Sequence, residues 1–215
     1  MLIDHIGVAF FPEIIGFRII GRLSFPIFSY FIYEGYGHTH NKLRYFRRLF
    51  GLGMVCVLGY ALFSGEFYGN VLLTFSVSIG VLAFFEKFCK NWEESKPFQK
   101  VGGMILFGGE LAALGVLCTY FRLDYGFLGA LLPLFLQIGK LFSQKFHNSF
   151  LPLLFFAAGL FLLCLQKGGV QWYCLLSLPF LAMYNGQKGR FSFQYWFYWF
   201  YPIHLVLIGA VSSIL

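Results

Sequence analysis

Charge is almost absent from long stretches of this chain, and that constrains its fold more than any motif does. The runs VLLTFSVSIGVLAFF (71–85), FLPLLFFAAGLFLLCL (150–165) and HLVLIGAVSSIL (204–215) contain no Asp, Glu, Lys or Arg. Only 12% of the 215 residues are charged, where a soluble domain carries about a quarter. A single globule of this length cannot keep so much apolar surface dry. In a bilayer, backbone groups must be satisfied within the segment, which favours helices. The expected fold is therefore all-α, a polytopic integral membrane bundle forming one transmembrane domain over 1–215.

Nine apolar segments can be drawn, at 1–12, 17–36, 49–64, 69–85, 101–120, 125–139, 150–166, 171–184 and 195–214, with a range of eight to ten spans. Pro133, Pro152 and Pro179 fall inside three of them and are expected to kink or break those helices. The first segment offers about eleven residues before Pro12, little more than half the hydrocarbon thickness at 1.5 Å per residue. It is either a re-entrant piece or, the favoured reading, a truncated first helix that places Asp4 and His5 near mid-membrane.

Lys and Arg set the orientation. Lys42, Arg44, Arg47 and Arg48 follow segment two; Lys87, Lys90, Lys96 and Lys100 follow segment four; Lys140 and Lys145 follow segment six; Lys188 and Arg190 follow segment eight. Only Arg18, Arg22, Arg122 and Lys167 remain of the sixteen. Positive charge beside span ends marks the cytoplasm, so even-numbered connections and the N-terminus face inward. The net charge of +7 then reflects topology and attraction to anionic membrane lipids, with no sign of a nucleic-acid partner.

Ionisable groups inside spans are costly and face a bundle interior or an aqueous cavity. Here they are Asp4, His5, Arg18, Arg22, Glu34, Glu110, Asp124 and His204. Arg18 and Arg22 are four residues apart on one helix face, and a short connection brings Asp4 and His5 to the depth of Arg22. A histidine beside a carboxylate suits a general base, and an arginine suits a developing oxyanion. The structural alternatives stay open: an Asp–Arg pair pins helices together, His204 packs as a polar core residue, Glu110 sits where glycines allow close helix approach, and Glu34 snorkels or meets Lys42 or Arg44.

Three polar clusters interrupt the hydrocarbon. FSYFIYEGYGHTHNKLRYFRRL (28–49) holds Glu34, His38, His40, Asn41, Arg44, Arg47 and Arg48, a set suited to the phosphates of an acyl coenzyme or to lipid headgroups. RLDYGFLG (122–129) carries Asp124 and Tyr125 on the outer side, and LAMYNGQKGR (181–190) carries Tyr184, Asn185, Lys188 and Arg190 on the inner side. His38 and His40 lack further ligands at metal-binding spacing, and the five cysteines form no CxxC pair. A zinc site or disulfide scaffold is not expected.

IDHIG (3–7), FRIIGRLSFPIFSYFIYEGYGHTHN (17–41) with YFRRL (45–49), LDYG (123–126), YNGQKG (184–189) and FYWFYPIHL (197–205) occur in one order along the chain. On these pieces it resembles the TraX family, conjugal-transfer membrane acetylases associated with pilin N-terminal acetylation. More distantly it is similar to the membrane acyltransferases that modify surface glycans. The resemblance implies a multi-pass protein of the bacterial cytoplasmic (inner) membrane. It implies acetyl transfer from acetyl-CoA, a co-substrate rather than a bound cofactor, to an amine or hydroxyl of an envelope peptide or glycan. His5 with Asp4 would be the base, Arg22 would steady the thioester oxygen, and His204 would be the second candidate base. Arg44, Arg47, Arg48, Lys188 and Arg190 would meet the coenzyme phosphates, with Arg18, Asp124 and Tyr201 toward the acceptor. Small outer loops argue against recognition of a large folded acceptor by this chain alone: the acceptor's end comes down into the bundle or a partner presents it. The expected assembly is a homo-oligomer or a complex with such a presenting partner. The competing readings are a transporter or flippase with an intramembrane polar pathway, and an assembly protein without chemistry.

Overall fold

A computed structural model describes residues 1–94, 96–187 and 194–212. Every regular element among them is helical: α1 (Leu2–Phe10), α2 (Ile15–Arg22), α3 (Ser24–His38), α4 (Lys42–Ser64), α5 (Val71–Glu94), α6 (Pro97–Tyr120), α7 (Gly126–Phe146), α8 (Leu151–Lys167), a 3-10 segment (Gly169–Ser177), α9 (Leu178–Ala182) and α10 (Gln194–Ser212). Among the described residues five stretches of 20 to 24 residues are long and apolar enough to cross a bilayer: Ile15–His38, Lys42–Leu62, Val71–Lys90, Pro97–Tyr120 and Gly126–Phe146. At 1.5 Å per residue, 20 residues cover about 30 Å. Leu151–Lys167, Gly169–Ala182 and Trp199–Val211 are shorter apolar helices. The chain is a polytopic helical membrane protein.

The prolines behave differently from the expectation drawn above. Pro133 lies inside α7, but Pro152 is the second residue of α8 and Pro179 the second of α9. In a first helical turn the missing N–H has no intrahelical acceptor to lose, so proline starts these helices rather than breaking them. The segment drawn at 171–184 is likewise not one helix, since a nine-residue 3-10 segment runs into the five-residue α9.

The chain divides into two compact units, Met1–Phe28 with Leu160–Leu215, and Ser29–Gly159. In the second, α5 packs against α4, α6 and α7 and is the most buried of the long helices, whereas α6 presents nearly its whole surface outward. Thr74 Oγ1 on α5 donates across to Asp124 O at 2.6 Å, and the α5 serines are satisfied within the helix: Ser76 Oγ donates to Leu73 O at 2.8 Å and Ser78 Oγ to Thr74 O at 3.1 Å. Such back-bonding lets small polar residues sit in an apolar bundle. In the first unit, α1 packs on α2 and α10, and α2 packs on the 3-10 segment. Two glycines set the α1–α2 approach. A Cβ on Gly7 would press into Phe17, and one on Gly21 would lie 2.8 Å from Asp4 Cγ and 2.9 Å from its Cα. Only a residue without a side chain fits either place.

Candidate functional site

Within the first unit, the close approach at Gly21 sets the Asp4 carboxylate between two guanidinium groups. Arg18 Nε lies 3.0 Å from Asp4 Oδ1, and Arg22 Nη2 lies 3.2 Å from Oδ2. The i, i+4 spacing of the two arginines on α2 permits this double engagement. Arg22 Nη1 also donates to Gln171 Oε1 at 3.4 Å, tying α2 to the 3-10 segment. Gln171 is buried, and the Cys164 thiol donates to its carbonyl oxygen at 3.4 Å. Cys164 and Cys174 lie 3.5 Å apart, sulfur to sulfur, and both are free thiols.

On an adjoining face of α1, His5 meets α10. Its ring centroid is 5.4 Å from that of His204, with the planes tilted by 43°. Phe200 stacks on His204 at 5.1 Å and Tyr201 meets it edge-on at 5.4 Å. His204 Nδ1 is 2.8 Å from the Phe200 carbonyl oxygen. A carbonyl only accepts, so Nδ1 carries the hydrogen and the neutral ring keeps its lone pair on Nε2. That nitrogen is buried and has no hydrogen-bond partner among the described residues. Adjacent positions on a helix do not share a face. Accordingly Asp4 turns to α2 and His5 to α10.

The structure thus gathers Asp4, His5, Arg18, Arg22, His204 and Tyr201 in one unit, together with Gln171, which the sequence reading did not single out. Tyr184 and Asn185 lie in the same unit beyond α9. Asn185 Oδ1 accepts from Gln187 N at 3.0 Å and closes a turn through Gly186, whose φ is +70°. Lys188 and Arg190 lie outside the described residues.

The other residues singled out belong to the second unit. Arg44, Arg47, Arg48 and His40 are exposed, and Asn41 caps α4 by accepting from Arg44 N at 2.8 Å. Glu34 does not meet Lys42 or Arg44 but His38, at 3.4 Å, one helical turn on. Lys42 instead pairs with Glu86, a residue the sequence reading did not name, and Tyr36 Oη donates to the same carboxylate at 2.6 Å. These groups surround a cavity of about 290 Å³ that Glu34, Gln137 and Lys140 also line. Asp124 and Tyr125 form a structural turn: Asp124 N donates to Gly69 O at 3.1 Å, and Tyr125, with φ of +60°, leads into α7. Glu110 lines a larger cavity of about 430 Å³ with Phe88, Trp92 and Phe107. No group of three or more His, Cys, Asp or Glu among the described residues is placed to hold a metal ion.

The model of the TraX protein family matches residues 1–212. The chain belongs to the TraX family. It is also similar to the "Probable fimbrial assembly protein FimC, serogroup H1" of Dichelobacter nodosus, at 26% identity over 225 residues, covering 92% of this chain and 83% of that protein. No solved structure matches it. The residues brought together around Asp4 and His204 are thus a candidate site in a TraX-family membrane protein.

Proposed function

We propose that this TraX-family chain is an acyl-CoA-dependent acyltransferase that moves an acetyl group to an amine or hydroxyl of an envelope acceptor, a pilin-type N-terminus or a glycan. Family membership supports the reaction class, and the similarity to a protein named for fimbrial assembly supports an acceptor of that kind. The observation that carries the reading is the His5–His204 pair, with the lone pair of His204 held on a buried Nε2 by the Phe200 carbonyl. A base oriented by a second group, within a water-poor bundle, is what general-base acyl transfer requires.

In this mechanism His204 Nε2 takes the proton as the acceptor nitrogen or oxygen attacks the acetyl carbonyl carbon. The carbon–sulfur bond breaks, and the departing coenzyme thiolate takes up a proton. His5 is the second base of the pair. Asp4 anchors Arg18 and Arg22, whose positive charge favours the carbonyl oxygen as it becomes negative. The reading goes with the basic connections and the N-terminus in the cytoplasm, as the distribution of Lys and Arg favours, and with the shorter apolar helices adding to the five long ones toward nine segments. Acyl-CoA is then the cytoplasmic co-substrate, and the exposed Arg44, Arg47 and Arg48 offer charge to its phosphates or to lipid headgroups.

Purified protein in lipid nanodiscs, supplied with radiolabelled acetyl-CoA and either a pilin-type peptide or an envelope glycan, is expected to label one of them. Absence of labelling, together with substrate flux through proteoliposomes of the same protein, would overturn the acyltransferase reading in favour of a transporter.

A further inference from the structure

We infer that Cys164 and Cys174 become joined by a disulfide bond, made by thiol–disulfide exchange with a thiol oxidase on the outer side of the membrane. The inference rests on the orientation proposed above and not on acyl transfer. Neither the motifs nor the family match assigns these residues a role.

Ten positions separate the two cysteines, and that spacing alone gives them no reason to meet. The fold supplies the reason. On α8, Leu160, Leu163 and Cys164 form one fully buried stripe at i, i+3 and i+4. Gly168 and Gly169, with φ of +66° and +51°, then carry the chain out of α8 through a left-handed conformation that glycine accommodates. A 3-10 helix has three residues per turn, so Gln171, Cys174 and Ser177 line up on one side of it, and these are its buried residues. Cys164 Sγ thereby reaches Gln171 O at 3.4 Å and Cys174 Sγ at 3.5 Å. A sulfur–sulfur bond is about 2 Å long, so closure asks for about 1.5 Å of movement, shared between two side chains.

The place of the pair along the chain supplies the oxidising side. With the basic connections inside, the connection after α8 faces outward. Cys164 stands three residues before Lys167, where α8 ends, which is about 4.5 Å along the axis. Compartments outside the cytoplasm form and keep disulfides, whereas the cytoplasm reduces them. Cys56, Cys89 and Cys118 belong to the other unit, so the two thiols have no rival within their own.

Both residues are fully buried in the finished fold, so exchange precedes the final packing of α2 on the 3-10 segment. One cysteine thiolate attacks a sulfur of the oxidase disulfide, forming a mixed disulfide and freeing one oxidase sulfur. The other cysteine attacks the first and displaces the second oxidase sulfur. Two electrons and two protons pass from Cys164 and Cys174 to the oxidase, which leaves as a dithiol. The bond clamps α8 to the segment that holds Gln171 against Arg22.

The test counts thiols in the full chain, expressed in a bacterium with an oxidising periplasm. Free thiols are blocked with N-ethylmaleimide in whole cells and through denaturation. After reduction, newly freed thiols take a polyethylene-glycol maleimide. Wild type is expected to gain two labels, and Cys164→Ser and Cys174→Ser none. The thermal midpoint of purified wild type should fall when dithiothreitol is added, with no fall in the double serine variant. A wild type that gains no label, or a Cys174→Ser protein that still gains two, overturns the inference. Lys167→Cys in the double serine background reads the orientation separately, through an impermeant maleimide added to spheroplasts. Labelling from outside, beside a wild type that gains no label, overturns the disulfide and keeps the orientation. Labelling only after lysis overturns both. Acyl transfer is read by its own assay and stands apart from either result.

Discussion

Asp4 in the first unit and Glu86 in the second are both carboxylates met by basic side chains, but their settings differ. The Asp4 side chain is 17% exposed and its partner Arg22 16%, whereas Glu86 is 57% exposed and Lys42 38%. Glu86 lies toward the C-terminal end of α5 and its partner on the first residue of α4, where a long side chain reaches water. Asp4 lies on α1 against a glycine that lets the helices touch, with its charge shared by two arginines. An exposed ion pair contributes 1 kcal/mol or less. A more buried one costs more to break than it contributes, because the remaining charge is less well solvated, although Arg18, the second partner of Asp4, is 34% exposed. The second pair therefore reads as helix-end stitching, and the first as a group kept inside the bundle for a purpose.

Variants at both places sharpen the contrast. The largest expected effect is on chemistry: His204→Gln should lower acyl transfer by about 10²–10⁴-fold, the range for loss of a general base, with the protein still folded by size-exclusion and thermal scan. Asp4→Asn should come next, costing about 3 kcal/mol of stability because two guanidinium groups lose their counter-charge, read as a fall in the detergent thermal midpoint. Gly21→Ala should cost about 1–3 kcal/mol through overpacking against Asp4, and it should reduce transfer because the displaced carboxylate no longer holds both arginines. Glu86→Gln should be smallest, within about 1 kcal/mol, with transfer unchanged. Equal losses from Asp4→Asn and Glu86→Gln would dissolve the comparison.

The class of fold was legible because hydropathy acts over whole segments, and the pairing of Asp4 with the arginines because Arg18 and Arg22 stand one turn apart across a short connection. Gln171 was not legible. It is an uncharged residue in GGVQWYC, and its burial depends on a 3-10 geometry that periodicity does not announce. Glu86 was missed for a related reason, since its partner Lys42 is 44 positions away and only packing of α4 on α5 joins them. The roles of Pro152 and Pro179 turned on where helices begin, which a run of apolar residues does not mark. That Asp4 and His5 meet different helices follows from the turn of about 100° between adjacent helix positions, although their adjacency invites reading them as one dyad.

The central claim is that the chemistry resides on the histidine pair of the first unit. Acceptor-dependent release of free coenzyme A from acetyl-CoA, measured side by side for wild type, His204→Gln and Glu86→Gln in nanodiscs, tests it directly. The account predicts wild-type release in Glu86→Gln and a loss of about 10²-fold or more in a folded His204→Gln. Undiminished release in His204→Gln would contradict it.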